Sequence, residues 1–179
     1  GSYDETFNGA AGDYDGFVCR LNAAGSARVY CTFLGGNGGD DANDIAVNSV
    51  DEAFITGSTL STNFPALAGS YDVAFNPPGN FDAFVCKLNA AGSARVYCTF
   101  LGGNGINENA NSIALLGDEA YITGIVDATG FPTTAGAYDV TYNAGGGDAF
   151  ISKLNTTGTA LIYSTYLGGT GWDGGNSIA

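Results

Sequence analysis

The side chains best suited to chemistry in this chain are carboxylates in glycine-rich loops. The segment 35–44 reads GGNGGDDAND, and the segment 168–173 reads GGTGWD. Both match the start of the GGxGxD pattern of calcium β-rolls, whose carboxylate and carbonyl oxygens suit a hard cation. Calcium is therefore the one cofactor that the sequence suggests. Its candidate ligands are the loop carboxylates Asp40, Asp41 and Asp44, with a weaker site at Asp173.

A polar turn between strands explains the same loops without any metal. The middle copy has Asn107 where the pattern needs an aspartate, and Ala42 interrupts the sequence that should follow. The pattern also occurs once per unit of sequence instead of in tandem nonapeptides. Three other aspartates, Asp15, Asp82 and Asp148, each lie two residues before a phenylalanine. Their repetition predicts turn capping through backbone N–H groups and not catalysis.

Composition excludes several classes of chemistry. The chain of 179 residues has no histidine, so it lacks Ser-His-Asp catalysis, Cys-His catalysis and the commonest transition-metal ligand. Its four cysteines lack the CxxC spacing of zinc sites. Eighteen acidic and five basic residues give a net charge of −13, which disfavours binding to nucleic acid or anionic lipid. No apolar run reaches transmembrane length, so we expect no membrane insertion.

Two residues interrupt the repetition of the loops. Glu108 and Trp172 occupy the same variable loop as Asp41, in different units. Loops that vary on a constant scaffold are where binding surfaces are built, so these three are candidate contacts for a carbohydrate or a protein. A carboxylate hydrolase is the least expected function, because the unique residues Glu5 and Glu108 form no evident glycosidase pair. We predict no catalytic residue and no enzyme activity.

The elements that carry these residues occur three times along the chain. The segment 17–38 reads FVCRLNAAGSARVYCTFLGGNG, and 84–105 differs from it only by Lys87 in place of Arg20. The segment 150–171 is a looser third copy, FISKLNTTGTALIYSTYLGGTG. This repetition predicts tandem units that bury their apolar faces against their neighbours. The units are 1–68, 69–135 and a partial third, 136–179.

Each unit contains a predicted β-hairpin. Residues alternate with a period of two over 17–21 and over 28–33, and a glycine-bearing turn separates the two runs. Folding symmetrically about Gly25 places Leu21 opposite Val29. Such cross-strand pairs are side-chain neighbours, so the register is chemically sensible.

The same register brings sulfur atoms side by side. The cross-strand pairs are Cys19 with Cys31, Cys86 with Cys98 and, in the third unit, Ser152 with Ser164. Two positions that change together within one chain are expected to touch, and cross-strand neighbours lie at disulfide distance. We therefore predict two disulfides, with buried free thiols as the alternative.

Two further strands complete each full unit. They lie at 44–50 and 52–58 in the first unit and at 112–116 and 119–125 in the second. The apolar spacing is mostly two, and glycine interrupts it often, so no helix is expected. A four-stranded sheet repeated in tandem is the description of a β-propeller blade. We predict an all-β chain of blade-like, four-stranded antiparallel sheets, one per unit, with the third unit incomplete.

Several motifs recur in a fixed order: FVCKLN at 84–89, TFLGG at 99–103, YITG at 121–124 and FP at 131–132. They resemble motifs of the bacterial SBBP family, which is named for its predicted seven-bladed β-propeller. The resemblance covers essentially the whole chain, and it implies secreted or cell-surface multidomain proteins without established catalytic residues. The cysteines and the shortened third unit depart from the family's pattern.

The third unit stops before any counterpart of the strand predicted at 52–58. A bare sheet edge exposes unpaired N–H and C=O groups, so we expect a strand from outside this segment to complete the third sheet. The sequence therefore predicts an extracellular or cell-surface structural or adhesive protein. Its partners would be copies of itself or other repeats of a longer polypeptide, as in a filament or surface layer. The alternative is a propeller module that binds a carbohydrate or a surface protein through its variable loops.

Overall fold

The computed structural model describes residues 1–76, 81–127 and 129–179. Within these ranges the chain forms ten β-strands, and it contains no helix that could cross a membrane. The strands are β1 (Gly16–Leu21), β2 (Arg28–Leu34), β3 (Asp40–Val47), β4 (Ala53–Thr59), β5 (Asp82–Leu88), β6 (Arg95–Phe100), β7 (Glu108–Leu116), β8 (Glu119–Val126), β9 (Asp148–Leu154) and β10 (Leu161–Leu167).

The strands form three antiparallel sheets. The first sheet contains β1 and β2, the second has the order β3-β4-β5-β6, and the third has the order β7-β8-β9-β10. Each four-stranded sheet is a meander in which every strand is antiparallel to its neighbours. The predicted all-β fold with tandem, blade-like, four-stranded sheets is therefore confirmed.

The sheets and the sequence units are out of step by two strands. β3 and β4, from the unit 1–68, pair with β5 and β6 from the unit 69–135. In the same way, β7 and β8 pair with β9 and β10 from the third unit. The prediction of one sheet per unit is wrong, because a sequence repeat fixes the spacing of strands but not the neighbour to which each strand hydrogen-bonds.

The sheet that lacks strands is the first one and not the third. The third sheet has all four strands, because β8 pairs with β9 along the whole of β9. Among the described residues, β1 pairs only with β2, whereas its counterparts β5 and β9 have a neighbour on both edges. The expectation that the third sheet lacks a strand is therefore wrong. In the described part of the chain, β1 is the strand that lacks a neighbour which its counterparts have.

The register of the first hairpin follows the prediction over most of its length. Cys19 pairs with Cys31, as expected. At the end of β1 a register shift pairs Leu21 with Arg28, where symmetry about the turn predicted Val29. The difference arises because β2 has one more residue than β1 at this point, which is the usual count in a β-bulge.

Both predicted disulfides are present in these hairpins. They join Cys19 to Cys31 and Cys86 to Cys98, with Cα atoms 4.0 Å apart in each pair. The third sheet replaces the disulfide with a hydrogen bond of 2.7 Å between the hydroxyl groups of Ser152 and Ser164. Two disulfides in a small domain are typical of an oxidising environment.

We expect the double substitution of Cys86→Ser and Cys98→Ser to preserve the fold and lower the free energy of unfolding by about 2 kcal/mol. Chain entropy assigns roughly 3 kcal/mol to a loop of this size, and the hairpin already restricts its ends. Ser152 and Ser164 show that a serine pair fits this position. Urea denaturation without reductant measures the loss. An unchanged midpoint would show that the cysteines are not linked in the protein.

The three sheets stack face to face, and the two interfaces are built from the same pair of sheet faces. Phe84 of the second sheet joins Tyr30 of the first in one buried cluster. Phe150 of the third sheet joins Tyr97 of the second in the other cluster. The phenylalanine face of each sheet therefore covers the tyrosine face of the sheet before it.

A tyrosine packs against a hairpin glycine at each of these interfaces. A Cβ atom on Gly92 would overlap the ring of Tyr30, and one on Gly158 would overlap the ring of Tyr97. The carbonyl oxygen of each glycine also accepts a hydrogen bond of 2.8 Å from the backbone N–H of another tyrosine. This tyrosine–glycine contact is a repeated feature of sheet stacking in the chain.

Candidate functional site

Two buried carboxylates face one glycine loop where the second and third sheets meet. Asp82 begins β5 and Glu108 begins β7, and neither side chain is more than 1% exposed. A Cβ atom on Gly102 would lie 3.0 Å from Asp82 Oδ1 and closer still to Glu108 Oε2. The N–H of Gly103 donates to Glu108 Oε2 at 2.8 Å. Only glycine leaves room for both carboxylates beside the loop.

The same arrangement recurs where the first and second sheets meet. A Cβ atom on Gly35 would lie 2.7 Å from Asp15 Oδ1 and 2.7 Å from Asp40 Oδ2. Asp40 Oδ2 accepts a hydrogen bond of 2.7 Å from the N–H of Gly36 and another of 2.7 Å from the Ser61 hydroxyl. The loop backbone therefore holds one oxygen of Asp40 next to Asp15.

A third, more open copy lies beyond β10. A Cβ atom on Gly168 would lie 2.6 Å from Asp148 Oδ1, and the N–H of Gly169 donates to Asp173 Oδ2 at 2.8 Å. Asp173 is partly exposed, unlike Asp40 and Glu108. We refer to the three arrangements as the carboxylate pairs: Asp15–Asp40, Asp82–Glu108 and Asp148–Asp173.

The first aspartate of each pair also caps a backbone turn, as the sequence predicted. Its Oδ2 atom accepts a hydrogen bond from the backbone N–H of an asparagine, at distances from 2.8 to 3.0 Å. The donors are Asn8 to Asp15, Asn76 to Asp82 and Asn143 to Asp148. Capping thus uses one oxygen of each first aspartate and leaves the other beside the glycine loop.

Several of the remaining oxygens are buried without a hydrogen-bond partner among the described residues. They are Asp15 Oδ1, Asp40 Oδ1, Glu108 Oε1 and Asp148 Oδ1. A buried, unpaired carboxylate oxygen is costly, because water no longer solvates its charge. This burial raises the pKa values of Asp40, Asp82 and Glu108 above the ordinary carboxyl range. The negative charge of Asp82 adds to the rise at Glu108.

No basic side chain forms an ion pair with these carboxylates in the described part of the chain, which contains all five lysines and arginines. Arg95 lies over the ring of Tyr3, and Arg28 is exposed. The other three pair with different carboxylates: Arg20 with Asp51, Lys87 with Glu52 and Asp118, and Lys153 with Glu119. Any positive charge at the carboxylate pairs must therefore come from a proton or from a bound cation.

The three aspartates predicted as a calcium cluster lie in different surroundings. Asp40 belongs to a carboxylate pair, whereas Asp41 Oδ2 accepts a weak hydrogen bond of 3.4 Å from the Tyr14 hydroxyl. Asp44 Oδ2 accepts hydrogen bonds from the Ser112 hydroxyl and from a backbone N–H of β7, so it links the second and third sheets. Among residues 1–76, 81–127 and 129–179, no three acidic or cysteine side chains come together in a metal-binding group.

The candidate binding-loop residues also separate. Glu108 is fully buried, so it offers no surface to a ligand, whereas Trp172 is 65% exposed. Glu108 accepts the N–H of a glycine five residues earlier, and Asp40 accepts that of a glycine four residues earlier. The extra loop residue hides their equivalence in the sequence. A search for an acidic residue four or five positions after each second glycine would have found all three.

No protein-family model matches the chain, and no curated protein matches it. The function is therefore inferred from the three copies within the chain. Both positions of the carboxylate pair are acidic in every copy, even where the loop gains a residue and Glu108 takes the place of Asp40.

In buffer without divalent cations, the wild-type protein should lose stability relative to Glu108→Gln as the pH rises from about 4.5 to about 7. Burial raises the pKa of Glu108 to about 7, so the folded state holds its proton more tightly than the unfolded state does. The contribution is complete below the unfolded pKa and is lost through the folded pKa. Urea denaturation of both proteins at pH 5, 6, 7 and 8 measures this difference. A stability difference between the two proteins that does not change with pH would contradict the raised pKa of Glu108.

Proposed function

We propose that this chain is a structural repeat module of an extracellular or cell-surface protein, built like the β-propeller repeats that its motifs resemble. The observation that supports the proposal is the tyrosine–glycine contact between stacked sheets. Both internal interfaces make this contact. Each outer face of the stack carries either the glycine or the tyrosines, without the other side of the contact.

The outer face of the first sheet is exposed where its counterparts are covered. Phe17 is 66% exposed, whereas Phe84 and Phe150 are fully buried. Gly25 occupies the same turn position as Gly92, but nothing lies within 4 Å of a Cβ atom placed on it. The first sheet therefore presents the glycine half of the contact without a tyrosine over it.

The outer face of the third sheet presents the tyrosine half. Tyr163 is partly exposed, whereas its counterparts Tyr30 and Tyr97 are 6% and 1% exposed. Tyr138 is 87% exposed, and it is the counterpart of the tyrosines whose N–H groups bind the turn glycines. Tyr163 and Tyr138 are therefore complementary to the uncovered turn at Gly25 of the first sheet.

Two unlike, complementary faces favour head-to-tail stacking, which generates either closed rings or open filaments. The neighbouring sheet could come from another repeat of the same polypeptide or from a second copy of the chain. The unpaired edge of β1 adds a second point of attachment, because an exposed strand edge accepts a further strand by backbone hydrogen bonding. The two disulfides suit the oxidising surroundings of a secreted protein.

The carboxylate pairs support a structural role more than a hydrolytic one. Asp82 and Glu108 are buried beneath the glycine loop, so a polysaccharide could not reach them. The pairs also recur in all three copies, whereas a single active site would be expected to break the repeat. The chain therefore has no evident site for carboxylate-based hydrolysis in its described part.

Light scattering over a concentration series, combined with electron microscopy of native material, tests the structural role. We expect rings or filaments of stacked sheets, or longer chains in which further repeats cover both outer faces. Single particles whose outer faces stay in solvent at every concentration would contradict the proposal.

A second candidate function, carbohydrate binding, is favoured by the exposure of Trp172. An exposed indole is a common platform for an apolar ligand surface with polar edges. A glycan array should then show binding that Trp172→Ala abolishes and Trp172→Phe partly retains. Equal signals from all three proteins would remove this candidate.

A further inference from the structure

We propose that the carboxylate pairs are binding sites for a hard divalent cation of the calcium class. The ligands are the two side chains of a pair together with oxygens of the adjacent glycine loop. This assigns Asp15, Asp82, Glu108 and Asp148 to metal binding, and it removes Asp41 and Asp44 from it. The inference does not depend on the proposed stacking function.

The unpartnered oxygens are the first support for this site. Glu108 is 0% exposed and Asp40 is 1% exposed, yet each has one carboxylate oxygen without a hydrogen-bond donor among the described residues. The other oxygen of each is held by a glycine N–H of the loop. The free oxygen is therefore positioned by the protein and still lacks a positive partner.

The proximity of two carboxylates is the second support. Asp15 Oδ1 and Asp40 Oδ2 both lie 2.7 Å from the point that a Cβ atom on Gly35 would occupy. Two carboxylates packed this closely repel each other unless a positive charge lies between them. Calcium binds carboxylate, carbonyl and water oxygens at about 2.3–2.6 Å, so an oxygen-only site beside an irregular loop suits it.

The distribution of basic residues is the third support. All five lysines and arginines lie elsewhere, and none forms an ion pair with a carboxylate pair. Turn capping alone would accept asparagine as readily as aspartate. The retention of two acids at each of three loops is explained by a ligand that needs negative charge.

Terbium luminescence and calcium-dependent melting test the proposal on the intact protein. After treatment with EDTA, we expect terbium to bind with luminescence sensitised by nearby tyrosines, and calcium to displace it. Calcium at saturation should raise the melting temperature by about 4 °C or more. No terbium signal and no change in melting temperature with calcium would overturn the proposal.

Matched variants locate the site. Asp40→Asn should remove one terbium-binding equivalent, and Glu108→Gln should remove another. Asp41→Asn changes the same charge in the same loop and should keep full binding, because Asp41 lies outside the pair. Asp15→Asn provides a second variant for the first pair, with circular dichroism confirming the fold of each protein. If Asp41→Asn and Asp40→Asn lost terbium binding equally, the signal would come from nonspecific surface charge. That outcome would overturn the assignment.

A shared proton is the competing source of positive charge, and the same experiment distinguishes it. If a proton bridges each pair, calcium leaves the melting temperature unchanged at pH 7.5 and Glu108→Gln melts at least as high as the wild type. That outcome overturns the cation site. If calcium raises the melting temperature of the wild type more than that of Glu108→Gln, which keeps the other two pairs, the cation site stands.

Discussion

Replacing Gly92 with asparagine should lower the free energy of unfolding by about 1–3 kcal/mol, whereas the same change at Gly25 should alter it by less than about 0.5 kcal/mol. Both glycines have positive φ angles, 62° and 65°, in the same type of hairpin turn. Asparagine tolerates this conformation better than most residues, so the turn itself costs the same in both variants. The difference arises because a side chain on Gly92 overlaps Tyr30, while a side chain on Gly25 meets nothing.

Urea denaturation of dilute protein measures this contrast. Gly158→Asn provides an independent copy of the test, because Gly158 packs on Tyr97 as Gly92 packs on Tyr30. We expect it to lose stability as Gly92→Asn does. Equal losses at Gly25 and Gly92 would show that these glycines serve the turn and not the contact between sheets.

Gly25→Asn should weaken the proposed head-to-tail association at least ~10-fold, although it leaves the single chain folded. The added side chain would occupy the place that the proposed contact gives to a tyrosine of the neighbouring sheet. Ala24→Asn is the matched control, because its counterpart Ala91 stays exposed within an internal interface. Sedimentation velocity over a concentration series measures the change. Equal association of both variants with the wild type would place the assembly contact elsewhere.

Local features of this fold are predictable from the sequence because they depend on neighbouring residues. The period of two over 17–21 and 28–33, with a glycine turn between, predicted the pairing of Cys19 with Cys31 and its disulfide. The bulge beside Leu21 was not predicted, since one extra residue in a strand leaves no clear mark on the alternation of side chains.

The repeat did not predict which strands join to form each sheet. A tandem sequence reads the same whether a sheet begins with β1 or with β3, because both choices use the same strands at the same spacing. The choice is made by the pairing of β4 with β5 across the segment 60–81, which carries prolines and no strand among its described residues. Such a long connection gives no local signal of the pairing that it permits.

The candidate site was predictable only in part. The repeated Asp15, Asp82 and Asp148 were correctly predicted to cap turns. Asp40, Asp173 and Glu108 were also singled out, but their equivalence and their pairing with these aspartates were missed, because the extra loop residue before Glu108 shifts it away from Asp40 in a direct comparison. Burial was also invisible in the sequence, since a polar loop rich in glycine is normally expected at the surface.

A structure of the native assembly by electron cryomicroscopy is the decisive test of the proposed stacking between sheets. We expect the turn at Gly25 to be covered by a tyrosine in the position of Tyr163, from another repeat or from a second copy. We also expect Phe17 to be buried in that interface, as Phe84 is between the first and second sheets. A native structure in which Gly25 and Phe17 both face solvent would contradict the proposed structural role.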